Sequence, residues 1–343
     1  MKQVWITRAG GPEVLAVRDA PDPAPGPGQV RLRVEAAGIN FADVLARQGI
    51  YPDAPPLPAV VGYEVAGVVD AVGAGVDDLP EGTPVLALTR FGGYSSAVVV
   101  HRRQVFRRPE GMSAEEGAAL PVTYLTAFQA MVAMGSVRRA EELGRRTTVL
   151  VHAAAGGVGS AAADLGAYYG ARMIGTASPA KHAFARSRGY EALIDYTAGN
   201  WAEEVRALTG GRGADLILDP IGGRHWRHSL RALRRGGRLV VFGIAEAAGR
   251  GKLGLARMAA GVPWLKMTPF ALMNANKGVL GVNLGHLWRD GDEVGRWAER
   301  LLALYREGHI RPHVDRTYPF ERAGEAHAHI ESRQSVGKVL LTP

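Results

Sequence analysis

The run Ala153-Ala154-Ala155-Gly156-Gly157-Val158-Gly159 combines small side chains and glycines in a pattern suited to holding a diphosphate. A diphosphate must come close to the main chain at a helix N-terminus, where unpaired N–H groups and the positive end of the dipole meet it. Side chains would block that approach. Gly156 takes the position of nearest approach, with Gly157 and Val158 in the same turn, and Gly159 the position where the helix packs on its strand. Ala154 stands where the usual dinucleotide fingerprint has its first glycine. A glycine cluster alone is often only a turn, so context decides. Thr148-Val149-Leu150-Val151 is a short apolar run before it, and Val158, Ala161, Ala162, Leu165 and Tyr169 follow at helical spacing.

Which dinucleotide is set about twenty residues further on, where an acid that binds the ribose marks NAD. Residues 165–190 contain no Asp or Glu. The second strand, 172–176, runs instead into Ala177-Ser178-Pro179-Ala180-Lys181. Ser178 before Pro179 serves equally well as a helix N-cap or as a ligand. A cation in a first helical turn opposes the dipole, so Lys181 points to an anion it faces, such as a 2′-phosphate. NADPH is the expected cofactor.

A chain of 343 residues exceeds the usual size of a single core, and two domains are expected. The absence of cysteine excludes disulfides, thiolate zinc sites and a cysteine nucleophile. His225 with His228, and His327 with His329, lack a third ligand at useful spacing, so no metal site is expected. The formal charge is +8, but 35 arginines and six lysines are scattered along the whole length, which argues for compositional bias and against a specific nucleic-acid partner. No apolar stretch has the length of a membrane span and no signal-peptide pattern opens the chain, so the cytoplasm is the expected compartment.

The N-terminal third alternates like β structure: Val30, Leu32 and Val34 interleave with polar neighbours, and strands are expected at 65–72, 84–88 and 94–100. Residues 21–28 read as a surface loop. From residue 123 onward, strands at 149–151, 172–176, 192–194, 216–218, 238–242 and 279–282 alternate with helices, as in a doubly wound parallel sheet. An amphipathic helix over 294–305 and a last strand at 338–341 follow. Residues 245–277 fit poorly. Trp264, Leu265, Met267, Phe270, Leu272 and Met273 cluster there with Arg257 and Lys266, more in keeping with a core or subunit contact than with a membrane surface.

This order of parts resembles the medium-chain dehydrogenase/reductase superfamily. Gly38-Ile39-Asn40-Phe41-Ala42-Asp43, Arg47-Gln48-Gly49-Ile50-Tyr51-Pro52, Gly62-Tyr63-Glu64-Val65-Ala66-Gly67 and 153–159 resemble its zinc-independent quinone oxidoreductase branch. Gly175-Thr176-Ala177-Ser178, Asp219-Pro220-Ile221-Gly222-Gly223, Gly308-His309-Ile310-Arg311-Pro312-His313 and Gly337-Lys338-Val339-Leu340-Leu341 resemble the vesicle amine transport protein homologues. The implied fold is α/β: a GroES-like β-rich catalytic domain over 1–122, a Rossmann NADP-binding domain over 123–289, and a segment 290–343 that completes the first. A homodimer is implied as well.

Where the zinc-dependent relatives have Gly-His-Glu with a ligating histidine, this chain has Gly62-Tyr63-Glu64. Without a Lewis acid, hydride transfer suits acceptors already activated by conjugation: quinones and α,β-unsaturated carbonyls. The resemblance places Asn40, Tyr51 and Thr126 beside nicotinamide and substrate, and an amide and two hydroxyls are suitable neutral donors. Each has a structural alternative: Asn40 fixing a turn, Tyr51 covering a loop, Thr126 bonding its own helix. Tyr63 reads as a weaker donor, and Asp43 and Glu64 as loop anchors. For the cofactor the resemblance adds Tyr196 and Arg333 beside Lys181; Thr176 is a further candidate, and Phe242-Gly243 with Val282-Asn283-Leu284, at carboxyl strand ends where open α/β sheets bind ligands, are expected to flank the nicotinamide. A nucleotide-binding module with little turnover is the alternative class of function.

Overall fold

A computed structural model describes residues 1–249 and 251–343 and divides the chain into two compact units, Met1–Leu125 with Leu284–Pro343, and Thr126–Asn283. The first contains β1 (Lys2–Ile6), β2 (Leu15–Asp19), β3 (Gln29–Ile39), α1 (Phe41–Arg47), β4 (Glu64–Val72), β5 (Pro84–Leu88), β6 (Ala97–His101), β7 (Val105–Arg107) and α2 (Ala114–Ala119). The boundary falls within α3 (Pro121–Phe128). The second contains α4 (Ala140–Leu143), β8 (Thr148–His152), α5 (Gly157–Tyr169), β9 (Arg172–Ala177), α6 (His182–Ser187), β10 (Ala192–Asp195), α7 (Trp201–Leu208), β11 (Ala214–Asp219), α8 (His225–Ala232) and β12 (Leu233–Val241). It closes with α9 (Gly251–Gly261), α10 (Pro269–Ala275) and β13 (Gly278–Gly281). The chain then returns to the first unit with α11 (Gly291–Arg306), β14 (Val314–Pro319), α12 (Ala323–Glu331) and β15 (Lys338–Thr342).

In the first unit, the alternation around Val30, Leu32 and Val34 buries all three on one face of β3. That strand is the hub of a mixed sheet in the order β14-β15-β3-β4-β5-β7, with β6 also paired to β3. Its core joins residues from both ends of the sequence, among them Val4, Tyr94, Phe320 and Leu341.

The second unit holds a six-stranded parallel sheet ordered β10-β9-β8-β11-β12-β13. Every residue of β8 and of β11 is buried, as expected for strands covered by helices on both faces. The order reverses between β8 and β11, and in such sheets ligands bind outside the carboxyl ends of the strands at that reversal.

Residues 245–277 form α9 and α10 with short 3₁₀ turns at Ala245–Ala247 and Trp264–Lys266. Trp264, Leu265, Phe270 and Met273 are exposed, which removes the core reading for these four residues. Among the described residues no helix is long and apolar enough to cross a membrane.

Candidate functional site

In the first unit the site begins where β3 runs into α1. Asn40 is the N-cap residue of α1, and its own N–H donates to Asp43 Oδ2 at 2.8 Å. Its side-chain amide is engaged too: Nδ2 donates to Glu64 Oε1 at 3.0 Å, and Oδ1 accepts from Lys338 Nζ at 2.6 Å. Glu64, fully buried, also pairs with Lys338 and accepts the Val122 N–H at 2.6 Å. Asn40 thus stands in a locked cluster that ties α1, β4 and β15 together. Asp43 accepts a second main-chain bond from the Gly62 N–H at 3.1 Å. Burial lifts its carboxyl to about 7, against the opposing pull of the Asn40 N–H and Lys338.

Tyr51, Tyr63 and Phe91 form one aromatic wall, with ring centroids 6.3 Å apart for the tyrosine pair and 5.2 Å for Tyr63 and Phe91. Burial raises the pKa of both tyrosines, so each remains a neutral hydrogen-bond donor. The Tyr63 hydroxyl is buried and has no hydrogen-bond partner among the described residues. A buried hydroxyl left unpaired is costly, and the polar neighbour that interacts with this one is the Tyr51 hydroxyl. In sequence alone Tyr63 is a weaker candidate than Tyr51, yet it is the more deeply buried of the two. The signal that would have raised it is its place at the metal-ligand position of Gly62-Tyr63-Glu64.

In the second unit, the glycine turn links β8 to α5. Gly156 is the N-cap residue of α5, so Gly157, Val158 and Gly159 open its first turn, whose amides have no partner inside the helix. A Cβ on Gly159 would lie 2.4 Å from the Ala154 carbonyl oxygen, so that glycine is required by packing. A Cβ on Gly156 would meet only Ala153 O, at 3.3 Å. Its bareness leaves the main chain there open on the outer side. The left-handed backbone of the turn falls on Ala153 (φ 55°), while Ala154 is buried beneath it.

After β9, Ser178 starts a 3₁₀ turn, Pro179–Lys181, with no side-chain capping bond, so its hydroxyl is not spent on the helix. The continuous helix expected there is divided. Lys181 ends the 3₁₀ turn and is the N-cap residue of α6 instead of a first-turn residue, which softens the dipole argument while leaving the cation at a helix amino end. Tyr196 follows β10 and is 38% exposed, which leaves little of the packing alternative. Thr176 is buried, its hydroxyl 2.9 Å from His152 Nδ1. Phe242, Gly243 and Val282 follow the carboxyl ends of β12 and β13, and Asn283 comes next. Thr126 is buried in α3, and the threonine there that bonds back to the preceding turn is Thr123, to Ala119 O at the end of α2 at 2.6 Å. Leu284 and Arg333 belong to the other unit, Arg333 with a left-handed backbone (φ 58°) just after α12.

A sequence model of the alcohol dehydrogenase GroES-like domain matches residues 26–110, and one described as zinc-binding dehydrogenase matches 188–341. The synaptic vesicle membrane protein VAT-1 homolog of Homo sapiens is 40% identical over 333 residues, spanning 96% of this chain and 82% of that protein. A quinone oxidoreductase of Pseudomonas aeruginosa is 34% identical over 360 residues, spanning 100% of this chain and 99% of that protein. This chain belongs to the medium-chain dehydrogenase/reductase superfamily, in its quinone oxidoreductase branch. Among solved structures, Escherichia coli quinone oxidoreductase complexed with NADPH superposes with a TM-score of 0.87 at 29% identity, covering all of both chains.

The zinc chemistry of some medium-chain dehydrogenases does not fit this member of the superfamily. It has no cysteine to offer a thiolate, and Tyr63 presents a phenol in Gly62-Tyr63-Glu64. One histidine reading needs correction. His225, which seemed to lack ligand partners, gathers with His152 and Asp219, their donor atoms all within 4.8 Å of one another. The sequence hid this because the three residues lie on β8, β11 and α8. Each of these atoms already has a hydrogen-bond partner. His225 Nδ1 lies 2.8 Å from Asp219 Oδ2, Ser229 donates to the same oxygen at 2.7 Å, and Asp219 Oδ1 accepts the Ile221 N–H at 2.8 Å. His152 bridges Thr176 and Ser229, the latter at 3.4 Å. Burial and the neighbouring His225 push His152 down to about 3, so it is neutral. Burial pulls Asp219 up, but the bonds from His225 and Ser229 outweigh it and hold the carboxyl at about 2. The cluster is therefore a closed polar network that ties the ends of three adjacent strands.

Proposed function

We propose that this chain is a zinc-independent, NADPH-dependent reductase of quinones or α,β-unsaturated carbonyls. The observation that carries the reading is the buried Tyr63 hydroxyl, beside Tyr51 and without a close hydrogen bond, at the position of a metal ligand in the zinc-dependent relatives. A phenol donates a hydrogen bond to a developing oxyanion but does not polarise an unactivated alcohol as a metal does. The acceptor must then bring its own activation, as conjugated carbonyls do. NADPH, when bound, supplies the hydride.

The chain's own residues hold and steady the reactants in this reading. The bare main chain at Gly156 and the first-turn amides of α5 take the diphosphate. Lys181, with Ser178, Tyr196 and Arg333, takes the 2′-phosphate, and Phe242, Gly243, Val282, Asn283 and Leu284 flank the nicotinamide. Tyr51 and Tyr63 donate to the substrate oxygen, with Thr126 as a further hydroxyl, and solvent delivers the proton. Asn40, its amide committed to Glu64 and Lys338, positions the loop that carries them. The working form is a homodimer, which sedimentation equilibrium tests.

Steady-state oxidation of NADPH with a benzoquinone and with an enone, in chelator-treated protein, tests the reading. Turnover should survive chelation, and Lys181→Ala should raise the KM for NADPH strongly while barely changing that for NADH. Tight NADPH binding with no turnover on either acceptor class would leave a nucleotide-binding module in place of a reductase, and equal effects on both coenzymes would remove Lys181 from the 2′-phosphate.

A further inference from the structure

Six basic side chains converge where the strands of the six-stranded sheet begin. Arg145 precedes β8, Arg206 lies near the end of α7, Arg212 in the glycine loop leading into β11, Arg234 and Arg235 at the start of β12, and Lys277 just before β13. All six line one cavity of about 820 Å³, and none of the described residues that line it is acidic or aromatic. Arginines that look scattered along the sequence are gathered by the fold.

Asp215 reaches two of them, pairing with Arg145 at 2.9 Å and with Arg234. Arg206, Arg212 and Arg235 are exposed, and no carboxylate among the described residues forms an ion pair with them. Lys277 donates to the Leu230 carbonyl at 2.5 Å, and burial, with Arg206 and Arg235 nearby, pulls its ammonium below the ordinary lysine value. Like charges around one cavity repel, and an anion between them relieves the repulsion. The volume is that of a small-ligand site. Guanidinium forks match phosphate oxygens, whereas a nucleobase would want an aromatic face on which to stack.

We infer that this cavity binds a small oligophosphate without a nucleobase, a linear polyphosphate or a multiply phosphorylated polyol. It lies at the amino ends of the parallel strands, whereas the glycine turn follows the carboxyl end of β8. It is therefore a second anion site, separate from the dinucleotide turn.

The test is calorimetric titration of the full chain and of the Arg206→Ser/Arg235→Ser variant with sodium tripolyphosphate at low and physiological salt. The unsubstituted chain should bind with an affinity that falls as salt rises. The variant should bind at least about tenfold more weakly at an unchanged melting temperature. Vesicles carrying a bisphosphorylated phosphoinositide identify the source: capture that depends on the same arginines assigns a lipid headgroup, and binding of tripolyphosphate alone assigns a soluble ligand. Equal binding by both proteins would overturn the inference. So would loss of binding in Lys181→Ala with the double variant unaffected, or a preference for single-stranded RNA over tripolyphosphate at equal phosphate concentration.

Discussion

In the proposed reading Tyr63 stands in for the metal of the zinc-dependent relatives, its hydroxyl buried beside Tyr51 and Phe91 without a close hydrogen bond. Replacing Tyr63 with Phe should lower kcat by roughly ten- to a hundredfold, the scale of one donor to a developing oxyanion, with little change in the KM for NADPH. An unchanged kcat would assign the hydroxyl to packing. Asp43 makes a second prediction. Its folded pKa of about 7 lies above its ordinary value of 3.8, so between those two values the folded state holds a proton that the unfolded state has released. That contribution to stability is complete below about 4 and is lost as pH rises through about 7. His152 and His327, both held neutral down to about 3 by burial, act in the opposite direction as pH falls below 6.5. Melting temperatures of the parent and of Asp43→Asn isolate the aspartate: their difference should move in favour of the variant from pH 4 to 7 and stay flat below that range. A constant difference would show that Asp43 is ionised throughout. Of the candidate site, the glycine turn was legible in the sequence, because its physics is local. The buried network of His152, Asp219, His225 and Ser229 was not, because it is assembled from separate elements.

The β8–turn–α5 element makes separable demands on its two glycines. A methyl group at Gly159 would collide with the Ala154 carbonyl, whereas at Gly156 it meets only Ala153 O at 3.3 Å. Gly159→Ala should therefore lower stability by roughly 1–3 kcal/mol, while Gly156→Ala should raise the KM for NADPH with only a small change in melting temperature. Chemical denaturation and initial-rate kinetics on the two variants separate these effects, and identical behaviour would contradict the assignment. Strand and helix patterns were readable where apolar periodicity was clean. β5 spans Pro84–Leu88 as expected, and the amphipathic helix expected over 294–305 is Gly291–Arg306. β12 begins at Leu233, five residues before its expected start at 238. Arg234, Arg235, Gly236 and Gly237 disguise that first half, since charged residues and glycines are poor strand signals, and a register shift on β11 at Ala214/Leu216 accompanies it. The strand expected from 94 starts at Ala97, because the fully buried Tyr94 bonds through its main chain to Val61 and Val4 outside any ladder.

At the scale of the whole molecule, the chain leaves its first unit after Leu125 and returns to it at Leu284. The last strand, β15, then pairs with β3, and Lys338 meets Glu64 in a fully buried ion pair that also holds Asn40. Lys338→Met should cost roughly 3–5 kcal/mol by leaving the Glu64 carboxylate uncompensated, and adding Glu64→Gln should recover a large part of that loss. Denaturant unfolding of the single and double variants measures both, and a double variant no more stable than the single would refute the pairing. The polar network in the second unit has a consequence of another kind. Thr176 and His152 are in register on neighbouring strands, and Asp219 follows the residue paired with Val151, so a hydrogen-bonded row crosses β9, β8 and β11. Sliding any of these strands by one position would turn its member of the row to the opposite face and strand a polar group among hydrocarbon, a full charge where the strand is β11. The row works as an alignment key, rejecting mismatched assemblies of the sheet through unsatisfied polar groups where interchangeable aliphatic side chains would have tolerated them.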